Sequence, residues 1–161
     1  MRLPPEWLEL IGLLNAHRVR YLVIGAHALA AHGRPRATQD LDLFIDRSRP
    51  NCQRLGKALA AFGYTGLARA WERFTTGDKM AALGREPLRI DLLNQITGVS
   101  FRAAWRGRMT LSIGDLLVPF LGRAELELNK RSTGRAKDAL DLELLAEVGK
   151  RQPARLRKPK T

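Results

Sequence analysis

Asp40 and Asp42 flank a single leucine in Asp40-Leu41-Asp42-Leu43-Phe44-Ile45. Residues two apart in a strand point to one face, so these carboxylates project together from roots roughly 6 to 7 Å apart. Like charges at that distance repel by roughly 2.5 kcal/mol at an effective dielectric of 20. A cation between them removes that penalty. Hard divalent ions take oxygen ligands, and Mg²⁺ is the usual one where phosphates complete the shell; two solvated acids at a strand end are the competing reading. A third acid, Asp91, stands inside Arg89-Ile90-Asp91-Leu92-Leu93, a run that otherwise reads as a buried or half-buried strand. An ionised group there needs a partner. If the two strands are neighbours, three acids converge in a geometry able to hold metal and to polarise an attacking hydroxyl. The other reading of Asp91 is a salt bridge to a nearby arginine such as Arg36 or Arg89.

Thirteen residues separate Ala26 from Asp40. Gly25 falls where a strand turns into a helix, which leaves backbone N–H groups exposed at a positive helix end, a place where a phosphate fits. Neither a GxxxxGK[ST] loop nor a GxGxxG fingerprint occurs, which argues against a P-loop NTPase and a Rossmann cofactor site. His32, just before Gly33, suits a helix C-terminus, with a catalytic base as the other reading. His27 has no second ligand at metal spacing. Trp7 and Trp105 read as core residues, while Trp71, between Arg69 and Arg73, either packs or stacks on a base.

The elements that must position these residues alternate in period. Pro5 opens a helix with Trp7, Leu10, Ile11 and Leu14 on one face, ending before Arg20. Tyr21 to Ile24 reads as a strand, His27 to His32 as a short helix, Leu41 to Ile45 as a strand, and the segment from Pro50 to Phe62 as a helix. Residues 64–78 carry no clear period. Met80 to Leu83 and Leu88 to Leu93 read as strands joined at Gly84-Arg85-Glu86-Pro87. Ser100 caps a short helix through Trp105, and Met109 to Ile113 with Leu116 to Val118 form a hairpin around Gly114-Asp115. Two helices close the chain, one near Arg123 to Arg131 and one near Ala136 to Val148 with Leu140, Leu144, Leu145 and Val148 on an apolar face. This order makes the protein α+β or α/β.

At 161 residues, 45% of them hydrophobic, one domain over residues 1–149 is expected. Cys52 is the single cysteine, which excludes an internal disulfide and a cysteine-based zinc cluster. The net charge of +12 favours nucleic acid, phosphates or an acidic surface as partners. Six of the bases lie in residues 150–161, a basic, disordered tail that either solvates or touches nucleic acid, leaving +6 for the rest. No apolar run approaches the roughly 18 residues of a membrane span, and Met1-Arg2-Leu3-Pro4-Pro5 does not open a signal peptide, so a cytoplasmic protein without membrane partners is expected.

Ile24-Gly25-Ala26-His27-Ala28 followed by His32-Gly33-Arg34-Pro35-Arg36-Ala37-Thr38-Gln39-Asp40-Leu41-Asp42-Leu43 resembles the signature of the polymerase-beta-like nucleotidyltransferases, in which a Gly-Gly or Gly-Ser turn precedes Asp-x-Asp or Asp-x-Glu. Arg89 to Leu93 resembles that superfamily's third-carboxylate strand. The segment from Asn129 to Asp141 resembles the C-terminal Lys, Gly-Arg-x-Lys-Asp, Asp motif of small bacterial members related to abortive-infection and type IV toxin nucleotidyltransferases. Ala26 departs from the pattern, placing a methyl group where Gly or Ser is usual. The resemblance implies the nucleotidyltransferase fold, a mixed β-sheet flanked by helices. It further implies Asp40 and Asp42 on Mg²⁺, and Asp91 completing the acidic cluster and helping to deprotonate a hydroxyl. Gly25, Ala26 and Thr38 would meet the nucleotide, with Lys130 and Lys137 on the triphosphate and Asp138 orienting Lys137. Arg36 would contact nucleotide or neutralise the acids, and Asp141 either belongs to the site or pairs with Lys137 one helical turn away. The implied reaction moves NMP from an NTP to a hydroxyl on RNA, such as a tRNA end, or on protein, with an antitoxin-like protein as a further partner. Two other readings stand beside it: a noncatalytic nucleic-acid-binding or regulatory protein on the same fold, and a transferase acting on a small molecule such as an aminoglycoside.

Overall fold

Pro5 begins α1 (Pro5–Ala16), and Trp7, Leu10, Ile11 and Leu14 are all buried, as their spacing requires. The computed structural model describes residues 1–151. β1 (Tyr21–Val23) is wholly buried and passes at once into α2 (Gly25–Ala31), two residues earlier than the helix-favouring run suggests, because Gly25 adopts a left-handed backbone (φ 64°) that turns the chain sharply. β2 (Asp40–Ile45) and α3 (Arg49–Ala61) follow. The aperiodic stretch 64–78 holds a short helix, α4 (Thr65–Arg69), and a 3₁₀ turn over Trp71–Thr75, both lying against α3.

β3 (Met80–Leu83) and β4 (Arg89–Leu93) pair as an antiparallel hairpin. α5 (Phe101–Gly107) begins at Ser100, whose hydroxyl accepts the Ala103 N–H at 3.2 Å. β5 (Met109–Ile113) and β6 (Leu116–Phe120) pair about the expected Gly114-Asp115 turn. α6 (Arg123–Thr133) ends at Gly134 in the left-handed conformation, and α7 (Ala136–Arg151) closes the described chain. α7 therefore runs through the first two residues expected to belong to the basic tail; residues 152–161 lie outside the described residues.

One six-stranded sheet has the order β3-β4-β2-β1-β6-β5. β2 pairs parallel with β4 and antiparallel with β1, and β1 runs parallel to β6, so the sheet is mixed and flanked by helices. Leu41, Leu43 and Ile45 from one face of β2, with Ile90 and Leu92 of β4, enter a core shared with α1, α3 and Phe120. The opposite face of β2 carries Asp40, Asp42 and Phe44, and Phe44 meets Phe101 of α5 edge-on at 5.0 Å. No helix among the described residues is long and apolar enough to cross a membrane.

One expectation for α7 fails. Leu145 is buried, but Leu140 is 57% exposed. The inward positions in this part of the helix belong instead to Asp138 and Asp141, three apart, because the cation of Lys130 is buried beneath them. Leu140, two residues from Asp138, is turned to the far side.

Candidate active site

The register of β2 on β4 sets Asp42 level with Asp91 and Asp40 level with Arg89. Alternation along both strands puts the four side chains on one face, and three of the four are acids. Arg89 answers that excess: its Nη2 lies 2.9 Å from Asp40 Oδ2 and 3.2 Å from Asp91 Oδ2. Of the two arginines open to Asp91 in the sequence, Arg89 is the one that binds it. Two oxygens remain buried without a partner, Asp40 Oδ1 and Asp91 Oδ1, and the Asp42 carboxylate accepts no hydrogen bond from the described residues, although its backbone carbonyl takes the Ile24 N–H. Burial first, then the charges of Asp91 and Asp40, push Asp42 up to about 6 against the pull of Arg89 and Lys137. Asp91 foremost, supported by Asp40 and Glu86, holds the Arg89 guanidinium more firmly charged than usual.

These acids open on a cavity of about 740 Å³ whose wall includes Gly25, Ala26, Thr38, Lys130 and Lys137. Gly25 lies so close to the acids that a Cβ on it would run into Asp42 Oδ2. That approach, and the positive φ, explain why glycine stands there. Ala26 is buried and its methyl is accommodated. Thr38 holds the turn into β2, its hydroxyl lying 3.2 Å from the Asp40 carbonyl and 3.4 Å from the Asp40 N–H.

The cations expected to meet phosphate divide into two groups. Lys137, in the first turn of α7, is exposed on the cavity wall, and among the described residues it forms no ion pair. Lys130 is different: it is 5% exposed, and its Nζ lies 3.0 Å from Asp138 Oδ1 and 2.7 Å from Asp141 Oδ2. Its stem lines the cavity while its charge is committed to two buried acids. Asp138 does not orient Lys137. Its oxygens take Lys130, the Thr133 hydroxyl at 2.6 Å and Arg135 Nε at 2.8 Å. Burial would raise the Asp138 carboxyl, but those three donors outweigh it and hold the group well below the usual carboxylate range. Asp141 likewise bonds Lys130 and lies 3.4 Å from Arg36 rather than pairing with Lys137, and Arg36 therefore does not neutralise the β2 acids.

His32 caps α2 and its Nε2 lies 2.9 Å from the Leu121 carbonyl, a tie between helix and sheet rather than a base in the cavity. His27 packs edge-on against Trp7 at 5.2 Å, and burial lowers its pKa. Trp71 lies away from the cavity with the Arg49 guanidinium 5.0 Å over its ring. The cavity adds residues that the motifs do not single out for contact, among them Asp78, Thr97, Asn129 and Arg135. Arg135 had a signal, standing beside the left-handed Gly134 and just ahead of α7. Asn94 had none: this buried residue follows β4 and fixes the 74–79 turn through Phe74, Gly77 and Lys79.

Among the described residues no group of three or more His, Cys, Asp or Glu side chains is placed to hold a metal ion. The donor set nonetheless fits a hard cation: the acids offer only oxygen, two of those oxygens are buried and unpartnered, and Mg²⁺ binds through one or two carboxylates with substrate phosphates completing its shell.

No family model matches the chain, and no curated protein's sequence does. Solved structures do match. A candidate nucleotidyltransferase of Thermotoga maritima, TM1012, superposes with a TM-score of 0.59 at 15% identity, over 91% of this chain and 96% of that one. The lincosamide antibiotic adenylyltransferase LnuA, in its lincomycin-bound form, gives 0.55 at 13% identity, over 91% and 98%. At such identities the likeness is one of backbone, and it shows that this chain has the nucleotidyltransferase fold.

Proposed function

We propose that the protein is a metal-dependent nucleotidyltransferase that moves NMP from an NTP to a hydroxyl on RNA. The observation that carries this reading is the level pairing of Asp42 with Asp91, with Asp40 beside them, on the floor of a cavity whose wall bears Lys137 and Arg135. Asp40 and Asp42, with Asp91 completing the set, would hold the cation, which when bound supplies positive charge to the α-phosphate and the leaving pyrophosphate. Asp91 Oδ1, the oxygen Arg89 leaves free, takes the proton of the acceptor hydroxyl. The acceptor oxygen bonds to the α-phosphorus, the α–β bridging bond breaks, and pyrophosphate carries away the electron pair. Lys137 faces the triphosphate, while Gly25 and Ala26 allow it to approach the start of α2. Arg89 balances the acids in the ligand-free protein through Asp40 and Asp91, and a cation held by those acids would take over that charge.

A small-molecule acceptor is the second reading, favoured by the likeness to LnuA. The net charge of +12 opposes it where the molecule is cationic. The toxin role and antitoxin-like partner implied by the C-terminal motif belong to this same proposal; expression of wild type, and not of Asp40→Ala, should slow the growth of a host cell.

Label transfer tests the reaction. Purified protein, Mg²⁺, each α-labelled NTP in turn, and total RNA with cell protein should give a labelled RNA band that Asp40→Ala/Asp42→Ala abolishes. Label on a protein band instead would move the acceptor, and no label on any macromolecule would favour the small-molecule reading. Binding is checked by melting: NTP with Mg²⁺ at 100 times its Kd adds roughly 2.7 kcal/mol to wild type. The absence of any shift would favour a noncatalytic protein on this fold.

A further inference from the structure

Five exposed arginines gather about Trp105, away from the acid cavity. Arg102 and Arg106 belong to α5, Arg108 follows it, and Arg18 and Arg20 come from the link between α1 and β1. Among the described residues none of the five makes an ion pair. Two acids line the grooves beside them: Asp115 stands with Arg18 and Arg20, and Asp46 already accepts from the Ser48 N–H and the Ser48 hydroxyl, each at 3.0 Å. Arg18 is also the only non-glycine residue among the described residues with a left-handed backbone (φ 55°), where glycine or asparagine would sit with less strain. A charged side chain is thus kept where the backbone would favour a small one.

Trp105 organises two of these groups. The Arg108 guanidinium lies 4.1 Å from the centroid of the indole and that of Arg20 5.7 Å, while Phe101 stacks on the same ring at 5.8 Å. Arg108 Nη1 donates to the Trp105 carbonyl, and the remaining edge N–H groups of a guanidinium resting on the ring stay open to oxyanions, with little rotamer freedom left to lose on binding. Grooves of about 580 and 460 Å³ meet at Arg20 and Trp105. The surface also lies on the acid-bearing side of the sheet, because Phe44, two residues beyond Asp42 on the same face of β2, packs against Phe101. From Asp42 to Asp46 the strand advances about 13 Å.

We propose that this arginine and tryptophan surface docks the phosphate backbone of single-stranded RNA, and that the strand leaving it carries an acceptor hydroxyl to the acid cavity. The docking of a single-stranded polyanion stands without the transfer reading above, whereas the choice of RNA and the delivery of the hydroxyl rest on it. Unpaired positive charge calls for a polyanion, and paired grooves around one aromatic suit a single strand. RNA is preferred to DNA because every ribonucleotide brings a hydroxyl, whereas DNA offers one only at a terminus.

The test is anisotropy of a fluorescein-labelled oligouridine with the full chain, without NTP or divalent cation, across a salt series. Arg20→Gln/Arg102→Gln/Arg106→Gln should bind tenfold more weakly or worse, and its log–log salt slope should fall by about 2, since three phosphate contacts to a single strand are lost. The matching Arg→Lys triple variant should keep the slope, which counts charges, and so controls for folding. An unchanged slope and affinity in the glutamine variant would overturn the proposal. So would equal affinity for oligodeoxythymidine, or displacement of the RNA by poly-glutamate at equal charge, the second result pointing to an acidic protein. The NTP-dependent melting shift should persist in the glutamine variant; its absence from wild type would sink the transfer reading and leave the docking surface standing.

Discussion

Asp42 and Asp91 occupy one register position on adjacent parallel strands, so two carboxylates share a face with about 4.8 Å between their backbones. Burial and the charge of Asp91 push Asp42 up to about 6, so at neutral pH the free protein holds this group ionised at a cost. Asp42→Asn keeps the shape and removes the charge. It should stabilise the ligand-free protein by about 1–3 kcal/mol, raising Tm by roughly 3–10 °C, while abolishing transfer. Calorimetry beside the label assay checks both, and a lower Tm would show that Asp42 is held by contacts rather than strained by repulsion.

The same group fixes a pH dependence. Because the Asp42 pKa is raised in the folded state, that state binds more protons than the unfolded chain between roughly pH 4 and 6, and stability should rise as pH falls through this window. Asp138 acts in the opposite sense: held below the usual carboxylate range, it contributes stability above about pH 4 that is lost as pH falls further. Urea melts from pH 8 downward should therefore show a maximum near pH 4 to 5 and then a steep loss. Asp42→Asn should flatten the rise and spare the acid-side fall.

Gly25→Ala should separate binding from folding. The new methyl meets Asp42 Oδ2 in a backbone of φ 64°, so the carboxylate must move. We expect about 1–2 kcal/mol of destabilisation and loss of the NTP-dependent melting shift. An intact shift would place the nucleotide away from the start of α2.

Much of this was legible because it rests on local chemistry. The Asp-x-Asp spacing put Asp40 and Asp42 on one strand face, Ser100 announced α5, and Gly114-Asp115 announced a hairpin. What escaped depends on partners remote in sequence. Arg36 could be read beside the acids it precedes, yet it meets Asp141 more than a hundred residues on. Leu140 looked inward by hydrophobicity, but the buried cation of Lys130 turned two acids inward instead. Residues 64–78 lack a period because α4 and the turn after it take their shape from α3, where Gly56 leaves room for Trp71.

Lys130 offers the sharpest stability contrast. Lys130→Met leaves Asp138 to Thr133 and Arg135 and Asp141 to Arg36 at 3.4 Å, and losing the buried cation between the two acids should cost about 3 kcal/mol. Replacing all three, as Lys130→Met/Asp138→Asn/Asp141→Leu, should recover most of that loss, because a well-packed neutral cluster matches a buried ion cluster in stability. Chemical denaturation of the two variants checks the order.

The strand order has a kinetic consequence. The β3–β4 and β5–β6 hairpins close over short turns, but β2 reaches β4 only after residues 46–88 have been gathered between them. Closing that long loop is entropically costly, and it is expected after the local pairings. The two acids thus meet late, when most of the chain is in place, and their repulsion weighs on the native state more than on the barrier leading to it. In stopped-flow experiments Asp42→Asn should slow unfolding and leave the folding rate almost unchanged.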